Sequence, residues 1–206
     1  MMAAVVADLA LESEATTALA MRLAAAVDAG ERTLLRIALP ASKYYVCKRA
    51  PAVAAEALEC LGGNGYVEDS GLPRLYREAP LNSIWEGSGN ITALDVLRAL
   101  SRDAATADAL LAELAPVARA CPSVGRAVSL LRAELSAPAP ERARRLAVLI
   151  ALCLQASLLL RHSPAVVAGT FIGSRFGGDT TGWTIGLLPA GTDTRLLVER
   201  VTPSLG

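Results

Sequence analysis

With 206 residues, 53% of them hydrophobic and only 4% aromatic, and with a mean hydropathy of +0.40, the chain holds material for one large domain or two small ones and favours helix over sheet. Its 20 basic and 20 acidic residues cancel, which excludes a global basic field for drawing in nucleic acid or an anionic membrane. His162 is the sole histidine, so His-rich metal sites and Ser–His or Cys–His nucleophile pairs are excluded and proton chemistry falls to a carboxylate.

In chain order, Met2 to Ala29 reads as one helix of roughly 40 Å, ended by Gly30. Val5, Leu9, Thr16, Leu19, Leu23 and Val27 mark its apolar stripe. Glu12 falls on that stripe and is expected at an exposed helix edge, an interface being the alternative. Thr33 to Leu61 is helical in pattern, but Pro40 and Pro51 predict a split into two or three pieces, since an interior proline costs about 3 kcal/mol. Gly62 to Pro73 reads as loop, with Asn64-Gly65 as a tight-turn signal. A single helical turn is expected over Leu75 to Ala79, loop from Asn82 to Gly89, and a helix from Ile91 to about Ser101 with Asn90 as its N-cap.

After Asp103 the spacing predicts helices over 104–120, 123–136, 140–161 and about 164–175. A Gly- and Thr-rich stretch from Gly177 to Thr194 follows, with Trp183 as its anchor, and a last helical turn starts at Thr192. Two regions result: residues 1–103 as a helical bundle, and residues 104–206 as a smaller helical extension with an irregular tail. The apolar run Leu146 to Leu160 is short for a bilayer span and contains Gln155 and Ser157, so a buried core helix is expected, with no membrane partner. The N-terminus lacks a basic region and does not read as a secretory signal. Cys47, Cys60, Cys121 and Cys153 form no CxxC pair; buried free thiols, no metal and a reducing, cytoplasmic setting are expected. The apolar excess points to surface meant for a partner or another domain.

Three segments could carry chemistry. In Glu59-Cys-Leu-Gly62-Gly63-Asn64-Gly65-Tyr66 a helix end meets a double glycine; this is either an ordinary glycine cap or a backbone left bare for a phosphate. No strand precedes it and it is not GxGxxG, which excludes a Rossmann site. In Ile84-Trp85-Glu86-Gly87-Ser88-Gly89-Asn90 the glycines lead into a helix N-terminus suited to an anion. Glu86 is then a surface residue or, kept dry by Trp85, a general base with a raised pKa. In Arg74-Leu-Tyr-Arg77-Glu78 the charges form either a solvated salt-bridge cluster or, through Arg77, a structural anchor for the glutamate loop; a structural role is expected. Arg142, Arg144 and Arg145 form a local basic patch, either a solvated face or a phosphate contact. Lys43 and Lys48 are the only lysines, so anion sites fall to arginine.

LGGNGY, then PRLYRE, then SIWEGSGNI resembles the C-terminal helical domain of flavin-dependent acyl-CoA dehydrogenases. With KYYVCKR upstream, the spelling PRLYREAPLNSIWEGSGN is similar to the DNA-alkylation-response branch of that family, strongly over residues 1–103 and more loosely in the FIGSRFGG and LLPAGTDTR segments. The resemblance implies an all-α fold in which Thr33 to Leu61 is one helix. It implies FAD as cofactor and an acyl-CoA as substrate, with Glu86 as the base that removes the proton alpha to the thioester carbonyl. Gly87, Ser88 and Asn90 would contact FAD. Glu59, Leu61, Gly62 and Gly63 would touch its diphosphate from a neighbouring subunit, although the family usually has glutamine where Glu59 stands. A complete member also has an N-terminal helical domain and a middle β domain. This chain is therefore expected to be a C-terminal portion, inactive alone, in a homo-oligomer or a complex with those domains. The alternative that the branch implies is binding of duplex DNA through the Arg142–Arg145 region.

Overall fold

The computed structural model describes residues 1–177 and 184–202; Trp183 lies outside them. Every regular element among the described residues is helical. Helices α1 (Met2–Asp28) and α2 (Arg32–Cys60) form a long antiparallel pair around the tight turn at Gly30. Short helices α3 (Gly63–Tyr66) and α4 (Leu72–Glu78) pack back against α2, followed by α5 (Gly89–Arg102). The extension supplies α6 (Ala105–Ala120), α7 (Pro122–Ser136), α8 (Ala143–His162), α9 (Ala165–Phe176) and α10 (Thr194–Val201). Asp193 caps α10, accepting from the Leu196 N–H at 3.0 Å.

α2 is continuous through Pro40 and Pro51, against the split that propensity predicts. It is the central helix of the bundle, packing on α1, α5, α6 and α8. Burial of Leu34, Ile37, Ala38, Pro40, Ala41, Tyr44 and Tyr45 offsets the proline penalties, a case of packing overriding local preference. The apolar core runs from Ala7 in α1 to Leu197 in α10 and draws on both expected regions. α8 is its spine. By length and composition α8 could cross a bilayer, yet 67% of its apolar window is buried within the protein, as expected of a core helix. Burial pushes the Cys153 thiol up to about 12; Cys47, Cys60 and Cys121 are only half-buried, short of the burial expected of them.

The buried face of α1 is not the predicted stripe. It runs through Ala7, Asp8, Leu11, Glu12, Ala15, Leu19 and Ala26, and Val27 is exposed. Alanines let α2 and α8 approach closely, and a stripe drawn through the larger side chains misses that face. Glu12 is buried rather than at an exposed edge. It pairs with Arg49 Nε at 3.2 Å and Arg175 Nη2 at 2.8 Å, and its Oε1 accepts from the Tyr45 hydroxyl at 3.1 Å. Arg175 also holds Asp8 at 2.7 Å, while the other Asp8 oxygen accepts from the Gly186 N–H at 2.7 Å. Two carboxylates and two guanidiniums thus balance inside the bundle and tie the FIGSRF segment to α1 and α2. Burial, with the Glu12 charge beside it, pushes the Tyr45 phenol well above its ordinary value.

A second ionic cluster joins α1, α6 and α8. Glu113 accepts from Arg22 at 3.0 Å and from Arg161 at 2.6 Å, and Arg22 also reaches Glu31 at 2.6 Å. Hydrogen bonds from Arg22, with Arg161 adding to them, hold the Glu113 carboxyl below its ordinary value of 4.5. A group lowered in this way contributes stability above its unfolded-state pKa and loses it as pH falls through the folded-state pKa. The thermal midpoint should therefore be flat near neutrality and fall below about pH 4.5. Glu113→Gln should lower the neutral midpoint and weaken the acid slope in a melting series from pH 3 to 7; an unchanged slope would assign acid sensitivity elsewhere.

Candidate functional site

The double-glycine segment lies at the end of α2. Leu61 closes the helix and is half-exposed; Gly62 follows at φ +57°, ψ −139°, a region suited to glycine. α3 then starts at Gly63, so part of the expected loop is a helical turn. An added Cβ on Gly62 or Gly63 would meet nothing within 4 Å, so this backbone is bare to solvent. Gly65 differs: it is buried, and a Cβ there would strike the Leu58 carbonyl. Exposed Glu59 and Gly62 share an open cleft of about 360 Å³ with Ala55, Leu58, Tyr66 and Tyr76.

The glutamate segment forms a bend between a 3-10 turn over Ala79–Ser83 and α5. Glu86 is the only non-glycine residue with positive φ among those described, at +54°, and Gly87 follows at +102°. Ser88, extended at φ −65° and ψ 166°, occupies the N-cap position but makes no side-chain cap bond. α5 begins at Gly89, so Asn90 lies inside the first turn rather than capping it. The Asn90 Oδ1 instead accepts from Arg144 Nε at 3.0 Å. Gly89 packs closely beneath Lys48 and Tyr44.

Glu86 is exposed, and Trp85 is 57% exposed. The dry setting that sequence reasoning assigned to Glu86 is thus not built among the described residues: Glu86 stands exposed on a bend that rests on α2 and on the first turn of α5. Arg77 follows the solvated salt-bridge reading and does not anchor the bend. It pairs with Glu68 at 2.8 and 2.9 Å on the surface. The lysines, passed over in the sequence, hold this loop. Lys43 Nζ donates to the Trp85 carbonyl at 2.7 Å and the Gly87 carbonyl at 2.6 Å, and Lys48 Nζ reaches the Ser83 hydroxyl at 3.4 Å. The available signal was their rarity, two lysines on one helix in a chain whose other cations are arginines.

The structure brings Glu86, Gly87, Ser88 and Asn90 together but leaves Glu59, Leu61, Gly62 and Gly63 elsewhere. About 25 Å of α2 separates Lys43, under the bend, from Cys60. The arginine patch is divided. Arg142 and Arg145 face Glu134 at 2.9 and 3.6 Å, and Arg144 is tied to Asn90.

A helical bundle carrying a glutamate bend over the middle of one long helix and a glycine bend at its C-terminal end is matched, over residues 1–101, by the family model described as acyl-CoA dehydrogenase, C-terminal domain. This part of the chain belongs to the acyl-CoA dehydrogenase family as that domain. The chain is 47% identical over 146 residues to the "Putative acyl-CoA dehydrogenase AidB" of Escherichia coli strain K12, a match covering 69% of this chain and 27% of that protein. That similarity agrees with the branch indicated by the sequence. Among solved structures, "Bd2924 apo-form" superposes with a TM-score of 0.67 at 29% identity, covering 76% of this chain and 32% of the other. The crystal structure of Caenorhabditis elegans ACDH-11 in complex with C11-CoA gives 0.63 at 29% identity, covering 79% and 32%. The chain thus spans about a quarter of AidB and about a third of each of these structures.

Proposed function

We propose that this chain is the C-terminal portion of an FAD-dependent acyl-CoA dehydrogenase-type oxidoreductase, acting in a homo-oligomer or with the other domains of its family, and inactive alone. The observation that carries the reading is the backbone at Glu86. A left-handed non-glycine residue costs of order 1–3 kcal/mol, and such strain gathers at functional sites. Here it sits on a bend that leads into a helix N-terminus and bears a reachable carboxylate.

The residues present fit the cofactor. Gly62 and Gly63 leave open backbone that a diphosphate could lie against. The first-turn N–H groups of α5, with Ser88 making no side-chain cap, suit an anion or a polar ring edge. Gly87, Ser88 and Asn90 would hold FAD at the bend, and Glu59, Leu61, Gly62 and Gly63 would meet the diphosphate of FAD bound by a neighbouring subunit. The length of α2 between the two bends supports that division. Glu59 opposes a diphosphate electrostatically, so the bare glycine backbone would carry the contact. When bound, FAD supplies the acceptor for the beta hydride. Glu86 takes the alpha proton of the acyl thioester and must be dried by a surface that the described residues do not provide. Exposed Tyr66, Leu75, Ile84, Trp85 and Ile91 surround the two bends and suit burial against a further domain or subunit.

The test is cofactor capture. Coexpressed with a polypeptide supplying the remaining family domains, the chain should copurify with a flavin absorbing near about 450 nm that bleaches on addition of an acyl-CoA. A colourless, fully assembled complex would reject the reading.

A further inference from the structure

We propose that Lys43 is the positioning residue of the Glu86 bend. The inference rests on the reading of Glu86 as the base for its functional meaning, but its geometry stands apart from that reading. A single ammonium donates to the Trp85 carbonyl at 2.7 Å and to the Gly87 carbonyl at 2.6 Å, bracketing the one non-glycine residue with left-handed backbone among those described. Both bonds are charge-assisted and short. Glu86 left to itself would relax toward negative φ, which would turn its two flanking carbonyls apart. Lys43 draws both carbonyls to one point, and that convergence selects the strained conformer. A tetrahedral ammonium can serve two converging acceptors from one atom, whereas a guanidinium spreads its donors over a planar fork.

The support beneath Lys43 is rigid. It projects from the middle of α2, between buried Ser42 and buried Tyr44. Five residues on, Lys48 reaches Ser83 at the start of the same loop and lies against Gly89 at its end. The loop is thus held from below by the same helix at both flanks. Lys43 fixes the backbone from which the Glu86 carboxylate projects and does not itself need to touch substrate.

The experiment has two arms. In the full 206-residue chain, backbone ¹⁵N order parameters at residues 85–88 should be near about 0.85 and should fall below about 0.6 in Lys43→Met, with α2 and α5 remaining rigid. No change at the bend, or loosening throughout the bundle, would overturn the proposal. In the assembled flavoprotein, Lys43→Met should lower kcat at least about tenfold with KM little changed, as expected when an interaction that orients the transition state is lost. An unaltered kcat would overturn the positioning role even where the bend loosens. Glu86→Gln measured alongside separates the two ideas: full turnover in that variant rejects the base, while the order parameters still judge the clamp.

Discussion

Replacing Arg175 with methionine should cost about 3–5 kcal/mol, a large share of the total stability of an ordinary domain. The side chain is 3% exposed and holds Asp8 and Glu12, which are as deeply buried. Removing it leaves two carboxylates facing one remaining guanidinium, Arg49, in a setting with little water. One of them must then take up a proton or drag in solvent, and either opens the contact between α1 and α9. The whole cluster is not thereby a large net contributor, because balanced buried ions roughly offset their own desolvation. The cost arises from imbalance. Urea titration of Arg175→Met beside Arg195→Met, which removes an 88% exposed i,i+4 partner of Glu199, distinguishes the cases. The second variant should barely move the midpoint. Equal, small shifts in both would show that the buried network does not hold the tail in place.

Glu86→Gln should behave in the opposite way, silent in stability and severe in turnover. Glu86 is exposed, and a surface substitution of the same size changes stability by no more than about 0.5 kcal/mol. Glutamine keeps the shape and an acceptor oxygen but cannot accept a proton at neutral pH. Loss of a positioned general base lowers kcat by about 10²- to 10⁴-fold. FAD should remain bound, because Gly87, Ser88 and Asn90 are unchanged. The informative measurement is flavin bleaching by acyl-CoA in the assembled protein, with the absorbance before substrate addition as the control for cofactor content. Bleaching at the parental rate would remove Glu86 from the chemistry.

The parts of this molecule that were legible in its sequence are those in which local chemistry decides. Gly30, Gly62 and the 137–140 linker punctuate helices where the structure ends them, because backbone freedom and a missing N–H act over one or two residues. The helices after residue 103 follow their apolar spacing closely. What escaped was set by distant partners. Pro40 and Pro51 sit in an unbroken helix because α1, α5, α6 and α8 press on α2. The direction of Glu12 could not be read without Arg175, which lies 163 residues away. The glutamate bend was legible as a motif through its glycines, but its exposure and its Lys43 clamp were not. Both depend on what lies beside the bend in space, and in sequence Lys43 is 44 residues from Gly87.

The scarcity of lysine has a practical corollary for work with this molecule. Apart from the α-amino group of Met1, the only primary amines are the two that grip the 83–87 loop. Amine-reactive dyes, bifunctional linkers and resin coupling would therefore converge on the support of the Glu86 bend. Thiol attachment at Cys121, a half-buried cysteine at the junction of α6 and α7, avoids both amines.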